Sequence, residues 1–126
     1  MRSLGTCWED RLKNKETKKE RYLRDPLPVR LAGLAADLAR IVSSARHETG
    51  SESVSEMLEE SQYYIEWTAA DADPEIAAEL VDMQRLIVLW RKVWPEAQKN
   101  KTQRILLSVQ AKKWSDQVLG YSGLMD

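Results

Sequence analysis

Leucine, isoleucine, valine, alanine and tryptophan recur along this chain at steps of three and four residues, and that recurrence narrows its possible folds more than any other feature. Leu31, Leu34, Leu38, Ile41, Val42 and Ala45 form the first series. At 3.6 residues per turn these steps return to one side of an α-helix, whereas a half-buried strand needs alternation at every second residue. Three further series repeat the pattern: Val54, Met57, Leu58 and Ile65; then Ile76, Leu80, Met83, Ile87, Trp90 and Trp94; then Leu107, Ala111, Trp114 and Val118. Neither Asn-Gly nor Asp-Gly occurs, so no alternating run is closed by a favoured hairpin turn. The expected fold class is all-α.

Proline, glycine and capping residues set the expected boundaries. Asp25-Pro26 and Asp73-Pro74 each pair a side chain able to accept from free helical amides with a proline that suits a first turn. Ser53-Val54-Ser55-Glu56, after the turn Thr49-Gly50-Ser51, has the form of a capping box. Pro95 marks a boundary or a kink, and Gly120 and Gly123 end the last helix. Helices are therefore expected from Pro26 to near His47, from Ser53 to near Ala69, from Pro74 to about Pro95, and from Pro95 or Lys99 to Leu119. Each would be roughly 30 Å long, and the short joins favour an antiparallel four-helix bundle over residues 25–126. Ala32, Ala35, Ala36 and Ala39 would let a neighbour approach the first helix closely. Residues 1–24 carry eight Lys or Arg against four Asp or Glu and no continuous apolar stripe, which reads as a charged arm. It is expected to be flexible, or helical from Trp8 to Leu23 with Trp8, Leu12, Tyr22 and Leu23 as anchors.

Composition bounds the rest. With 126 residues, 43% of them hydrophobic, the chain has the size and apolar content of about one domain. The longest apolar run, Leu86 to Trp90, is five residues, so no membrane span is expected. The basic N-terminus lacks the apolar core of a secretory signal, and the expected address is cytoplasmic. Cys7 is the only cysteine and reads as a free thiol in a reducing compartment. His47, the only histidine, falls at an expected helix end, where its role is capping or plain exposure. One His and one Cys rule out ordinary zinc sites and the paired Glu-x-x-His motifs of di-iron bundles, and the sequence offers no Ser/His/Asp arrangement for His47 to complete. No catalytic residue is assigned.

Charge is segregated. From His47 to Met83 there are eleven carboxylates and no Lys or Arg, a local net charge of −11, while residues 1–24 sum to +4, 25–46 to +1 and 84–126 to +5. Opposite faces of this kind are solvated surface, or a docking surface that steers a partner or a second copy. Trp67, Trp90, Trp94 and Trp114 serve as bulky core fillers in a chain without Phe. The segment from Pro74 to Trp94 also carries Val81, Leu86, Val88, Leu89 and Val93, more apolar surface than one stripe needs. If an interaction surface is exposed it is expected at Val88, Trp90 and Trp94 with Lys99, Lys101 and Arg104 beside them.

Glu56-x-x-Glu59 and, after a gap of nineteen residues, Glu79-x-x-Asp82 place two acids per helical face. The pattern resembles the E-x-x-E and E-x-x-D signature of the all-α MazG-like nucleotide pyrophosphatases. That resemblance, covering about 27 residues, implies that Glu56, Glu59, Glu79 and Asp82 hold Mg²⁺ for pyrophosphate release from a nucleoside triphosphate. The family's first motif is usually Glu-Glu-x-x-Glu, and here Glu59-Glu60 is followed by Tyr63. The first expectation is instead a non-enzymatic protein-interaction module without cofactor, acting on a protein partner or as a homodimer. A nucleic-acid role through Arg91, Lys92, Lys99, Lys101, Arg104, Lys112 and Lys113 ranks last, because a pI near 5.9 is far below the value above about 9 of dedicated binders.

Overall fold

The computed structural model describes residues 6–123, apart from the side chains of residues 6–9 and 11. The expectations for the Cys7 thiol and the Trp8 indole lie outside the described residues. Among the described residues five α-helices follow in order: α1 (Thr6–Arg24), α2 (Leu27–Arg46), α3 (Val54–Ala69), α4 (Pro74–Ala97) and α5 (Lys101–Ser122), with a 3-10 helix, Glu48–Ser53, between α2 and α3. No strand occurs among the described residues. The fold is all-α.

The starts and stops differ from expectation in instructive ways. Pro26, not Asp25, takes the N-cap position of α2, and its carbonyl accepts from the amides of Val29 and Arg30, both at 3.0 Å. The capping box at Ser53 does not form. The 3-10 helix already delivers helical backbone there (φ −75°, ψ −13°), so the chain enters α3 without a break and the Ser53 hydroxyl donates back to the Gly50 carbonyl at 2.9 Å. Helix α4 opens at Pro74 as expected but continues through Pro95 to Ala97; the Trp94 carbonyl accepts from the Gln98 amide at 2.8 Å, closing the last turn. Proline removes one amide close to the helix end, where little of the ladder remains to be lost. Asn100 caps α5, its side chain accepting from the Gln103 amide at 3.1 Å. The helix passes through Gly120 and stops at Gly123, whose φ of 71° is the left-handed conformation that glycine adopts without penalty.

The periodic lines become the core. Leu34, Leu38 and Ile41 of α2, Leu58 and Ile65 of α3, Leu80, Ile87 and Trp94 of α4, and Leu107 and Val118 of α5 are all fully buried, with Trp114 close behind. Each such aliphatic side chain contributes about 1.5–3 kcal/mol on burial. Helix α2 lies between α3 and α5. On the α5 side, the hydroxyl of Ser115 donates to the Ala35 carbonyl and that of Ser108 to the Val42 carbonyl, each at 2.8 Å. Side chains that reach a neighbour's backbone at this range require the two helices to be close, and Ser108, Ala111 and Ser115 are small enough to allow it. Of the four alanines expected to serve this contact only Ala35 is buried; Ala36 and Ala39 face solvent. Helices α3 and α4 are joined through Gln62, whose carbonyl accepts from Gln84 at 3.0 Å and whose side chain accepts from Arg91 at 2.5 Å. Helices α4 and α5 meet more sparsely, with Tyr121 donating to Glu79. Among the described residues no helix is long and apolar enough to cross a membrane.

Candidate functional site

Two surfaces remain after the core is closed. The first is made by the exposed sides of α4 and α5, where Val88 and Leu89 also line a groove with Gln62 and Glu66 of α3. Eight of the eleven exposed large hydrophobic residues lie there: Val81, Leu86, Val88, Leu89 and Val93 on α4, and Ile105, Leu106 and Val109 on α5. Leu86, Leu89 and Val93 follow steps of three and four, so they form one strip, and Ile105 and Val109 stand one turn apart. Leu89 is 57% exposed, the highest of the set. Val88, Lys99 and Lys101 are exposed as expected for a surface, and Trp90 is half-buried.

Two of the expected surface residues belong elsewhere. Trp94 is fully buried, and its indole N–H donates to the Ser51 carbonyl at 2.7 Å, tying the end of α4 to the 3-10 helix. Trp90 meets it edge to face at 6.4 Å. Arg104 is also buried, its Nη1 donating at 2.7 Å to the Gln98 carbonyl beyond the end of α4; its Nε has no partner among the described residues. A guanidinium that caps a helix end is structural, and Trp94, seven residues beyond the buried Ile87, takes the core position that its place in the α4 apolar series also offered.

The carboxylates of the Mg²⁺ reading are not brought together. Glu59 lies 3.3 Å from Arg91, Asp82 lies 3.9 Å from Arg85, Glu79 accepts from Tyr121 of α5, and Glu56 lines a cleft against α1. Arg91 stands nine residues beyond Asp82 on α4, about 13 Å along the axis. The α3 pair therefore faces a different level of α4 from the one that carries Glu79 and Asp82. Among the described residues no group of three or more His, Cys, Asp and Glu residues is placed to hold a metal. The arrangement does not fit the ion that the resemblance implies.

The second surface is a cleft of about 640 Å³ between α1 and α3. Leu12, Asn14, Lys15 and Lys18 line it from α1; Glu56, Glu59, Glu60, Tyr63, Tyr64 and Trp67 line it from α3. Its wall is aromatic: Tyr22 stacks on Tyr64 at 4.4 Å, and Tyr63 stacks on Trp67 at 5.8 Å. The Lys15 ammonium sits 3.8 Å from the centre of the Tyr63 ring, and Lys18 lies 3.3 Å from Glu60. These two contacts are each worth no more than about 1 kcal/mol in so open a setting. Tyr22, the buried anchor of α1, shares a hydrogen bond with Thr68 at 2.5 Å and donates to the Arg30 carbonyl at 3.0 Å. Leu12 and Leu23, expected to anchor with it, remain about half exposed.

Behind this wall lies Asp37, only 1% exposed, which accepts from Ser61 at 2.8 Å and from Arg40. Burial pushes its carboxyl above the usual range, nearby Glu60 pushes the same way, and the bonds from Ser61 and Arg40 oppose them. Burial likewise raises the Tyr22 hydroxyl to about 12, against the Thr68 hydrogen bond and the Arg30 charge. Tyr64, donating to Glu60 at 2.6 Å, is also pushed up, first by burial and then by that carboxylate. This network was not expected. One signal in the sequence could have disclosed it: Asp37 interrupts the first apolar series directly before Leu38, at a position that the helix turns inward.

No protein-family model matches the chain, and no curated protein and no solved structure matches it either.

Proposed function

We propose that this chain is a non-enzymatic protein-interaction module that associates with a second copy of itself through the exposed sides of α4 and α5. The observation that carries the reading is the set of eight exposed large hydrophobic residues concentrated on those two helices. Exposed large apolar side chains in this number on two helices of a small domain are a common mark of an interaction site. The second copy is favoured by charge. All of this face except Val81 lies in residues 84–126, which sum to +5, and residues 47–83 sum to −11, so charge favours a head-to-tail contact in which the face of one copy meets the acidic segment of the next. On this reading the scaffold is an antiparallel four-helix bundle of α2–α5 with α1 as its charged arm. The cross-helix pairs support it, since partner numbers rise on one helix as they fall on the next: Ala35 with Ser115, Val42 with Ser108.

Light scattering across the micromolar range tests the proposal. Association gives a mass that rises above 14.5 kDa with concentration, and Leu89→Glu returns it to the monomer value. A constant 14.5 kDa species for the unmodified chain would overturn it.

A further inference from the structure

Helix α1 is held to α3 by an unusual set of contacts for an intramolecular packing. Tyr22 is its buried anchor, Leu12 and Leu23 stay half in solvent, and the cleft of about 640 Å³ remains open beneath Leu12, Asn14, Lys15 and Lys18. Among the described residues two ammonium groups add to these contacts: Lys15 on the face of Tyr63, and Lys18 against Glu60. Along α1 these three residues stand at i, i+3 and i+7, the spacing by which a helical ligand reads a groove from one face. The α3 side has the matching chemistry, with three rings, Tyr63, Tyr64 and Trp67, bordered by the carboxylates of Glu56, Glu59 and Glu60. Helices in proteins draw most of their stability from packing rather than from propensity, so the hold of this polar 19-residue helix on the fold rests on these contacts.

From this we infer that the α3 groove is a binding site for a basic helical segment of a protein partner bearing two lysines and a tyrosine at i, i+3 and i+7, and that α1 is its resident, exchangeable occupant. Helix α1 defines the ligand: its own Lys15, Lys18 and Tyr22 show which side chains the rings and carboxylates take. The resident helix keeps the groove filled, and a partner must displace it, so the apparent affinity is lowered by the fraction of molecules in which α1 is docked. This site is separate from the α4–α5 face and stands or falls without it.

A fluorescently labelled peptide of residues 6–24, titrated with the full chain and followed by anisotropy, tests the inference. The unmodified chain should bind the peptide weakly. A full chain carrying Lys15→Ala and Lys18→Ala, its fold verified by circular dichroism, should bind roughly tenfold tighter or better, because its own α1 leaves more often. The same chain with Glu60→Gln and Tyr63→Ala added should lose that gain. Equal binding by the unmodified and lysine-free chains would overturn the inference. So would competition by spermine as effective as that of unlabelled peptide at equal charge, which would reveal only a diffuse acidic field. Hydrogen exchange on the unmodified chain gives a second reading that needs no variant: α1 amides should exchange faster than those of α2 and α5, and equal protection would mean that the groove never opens. Leu89→Glu should leave peptide binding unchanged, which keeps this test apart from that of self-association.

Discussion

Replacing Trp94 by Phe isolates the role that the structure gives this residue. The indole is fully buried and its N–H donates to the Ser51 carbonyl at 2.7 Å. That carbonyl also accepts from the Val54 amide, so the substitution does not leave it without a partner. The cost is then the net worth of one hydrogen bond, about 1 kcal/mol, and not the larger penalty of an orphaned acceptor. The space vacated by the second ring adds about 1 kcal/mol for a site that relaxes only in part. Trp94→Phe should therefore cost about 2 kcal/mol, which in a domain of this size lowers Tm by roughly 8 °C. Urea unfolding followed by far-ultraviolet circular dichroism measures it, and the m-value should not change, because the surface exposed on unfolding is the same. Trp90→Phe, at a half-buried position, is the control and should cost less than about 1 kcal/mol. If the two substitutions cost the same, or Trp94→Phe costs nothing, Trp94 is not the buried strut described.

Asp37→Asn should become relatively more favourable as pH rises. The carboxyl's folded pKa lies above its unfolded value of 3.8, so ionisation penalises the folded state at neutral pH, and the penalty fades as pH falls through the folded value. The stability difference between variant and parent, measured by urea unfolding from about pH 3 to pH 8, should shift toward the variant with pH; a flat difference would falsify the assignment. Stability should also fall on the alkaline side above pH 10, where an unfolded Tyr22 ionises while the folded hydroxyl, pushed up to about 12, does not. Tyr22→Phe should weaken that alkaline dependence and cost about 1 kcal/mol at neutral pH, and unchanged alkaline titration would count against the buried hydroxyl. Asn100→Ala should cost about 1 kcal/mol in thermal or urea unfolding through loss of the α5 cap, whereas Asn100→Asp should cost much less.

The core was legible because burial follows a single arithmetic: the residues at three- and four-step intervals from Leu31 to Val118 are those the helices turn inward. Boundaries were less so. Asp25 and Ser53 have the chemistry of caps, but capping also needs a non-helical backbone at the cap and free amides after it, and the 3-10 helix before α3 removes that need at Ser53. Asn100 satisfies both conditions, with φ −112° and ψ 121°, because α4 has ended three residues earlier, at Ala97. The extra apolar residues of α4 were visible in the sequence, and the structure leaves them exposed. What could not be read was which long side chains of different helices would meet. Tyr22 and Thr68 are 46 residues apart, and Arg91 reaches Glu59 across 32, so the α1 groove and the dispersal of the four carboxylates exist only once the helices are placed.

The seam between α2 and α5 also sets a timetable for the chain. Ala35 and Val42 complete their contacts with Ser115 and Ser108, separated by 80 and 66 residues. At about 5–20 residues per second, synthesis leaves the leucine face of α2 waiting several seconds for the helix that covers it. During that interval α3 shields only one side of α2. The small serines that later let α5 lie so close contribute nothing until it arrives, so a nascent chain halted before Lys101 would present Leu34, Leu38 and Ile41 to whatever apolar surface is nearest.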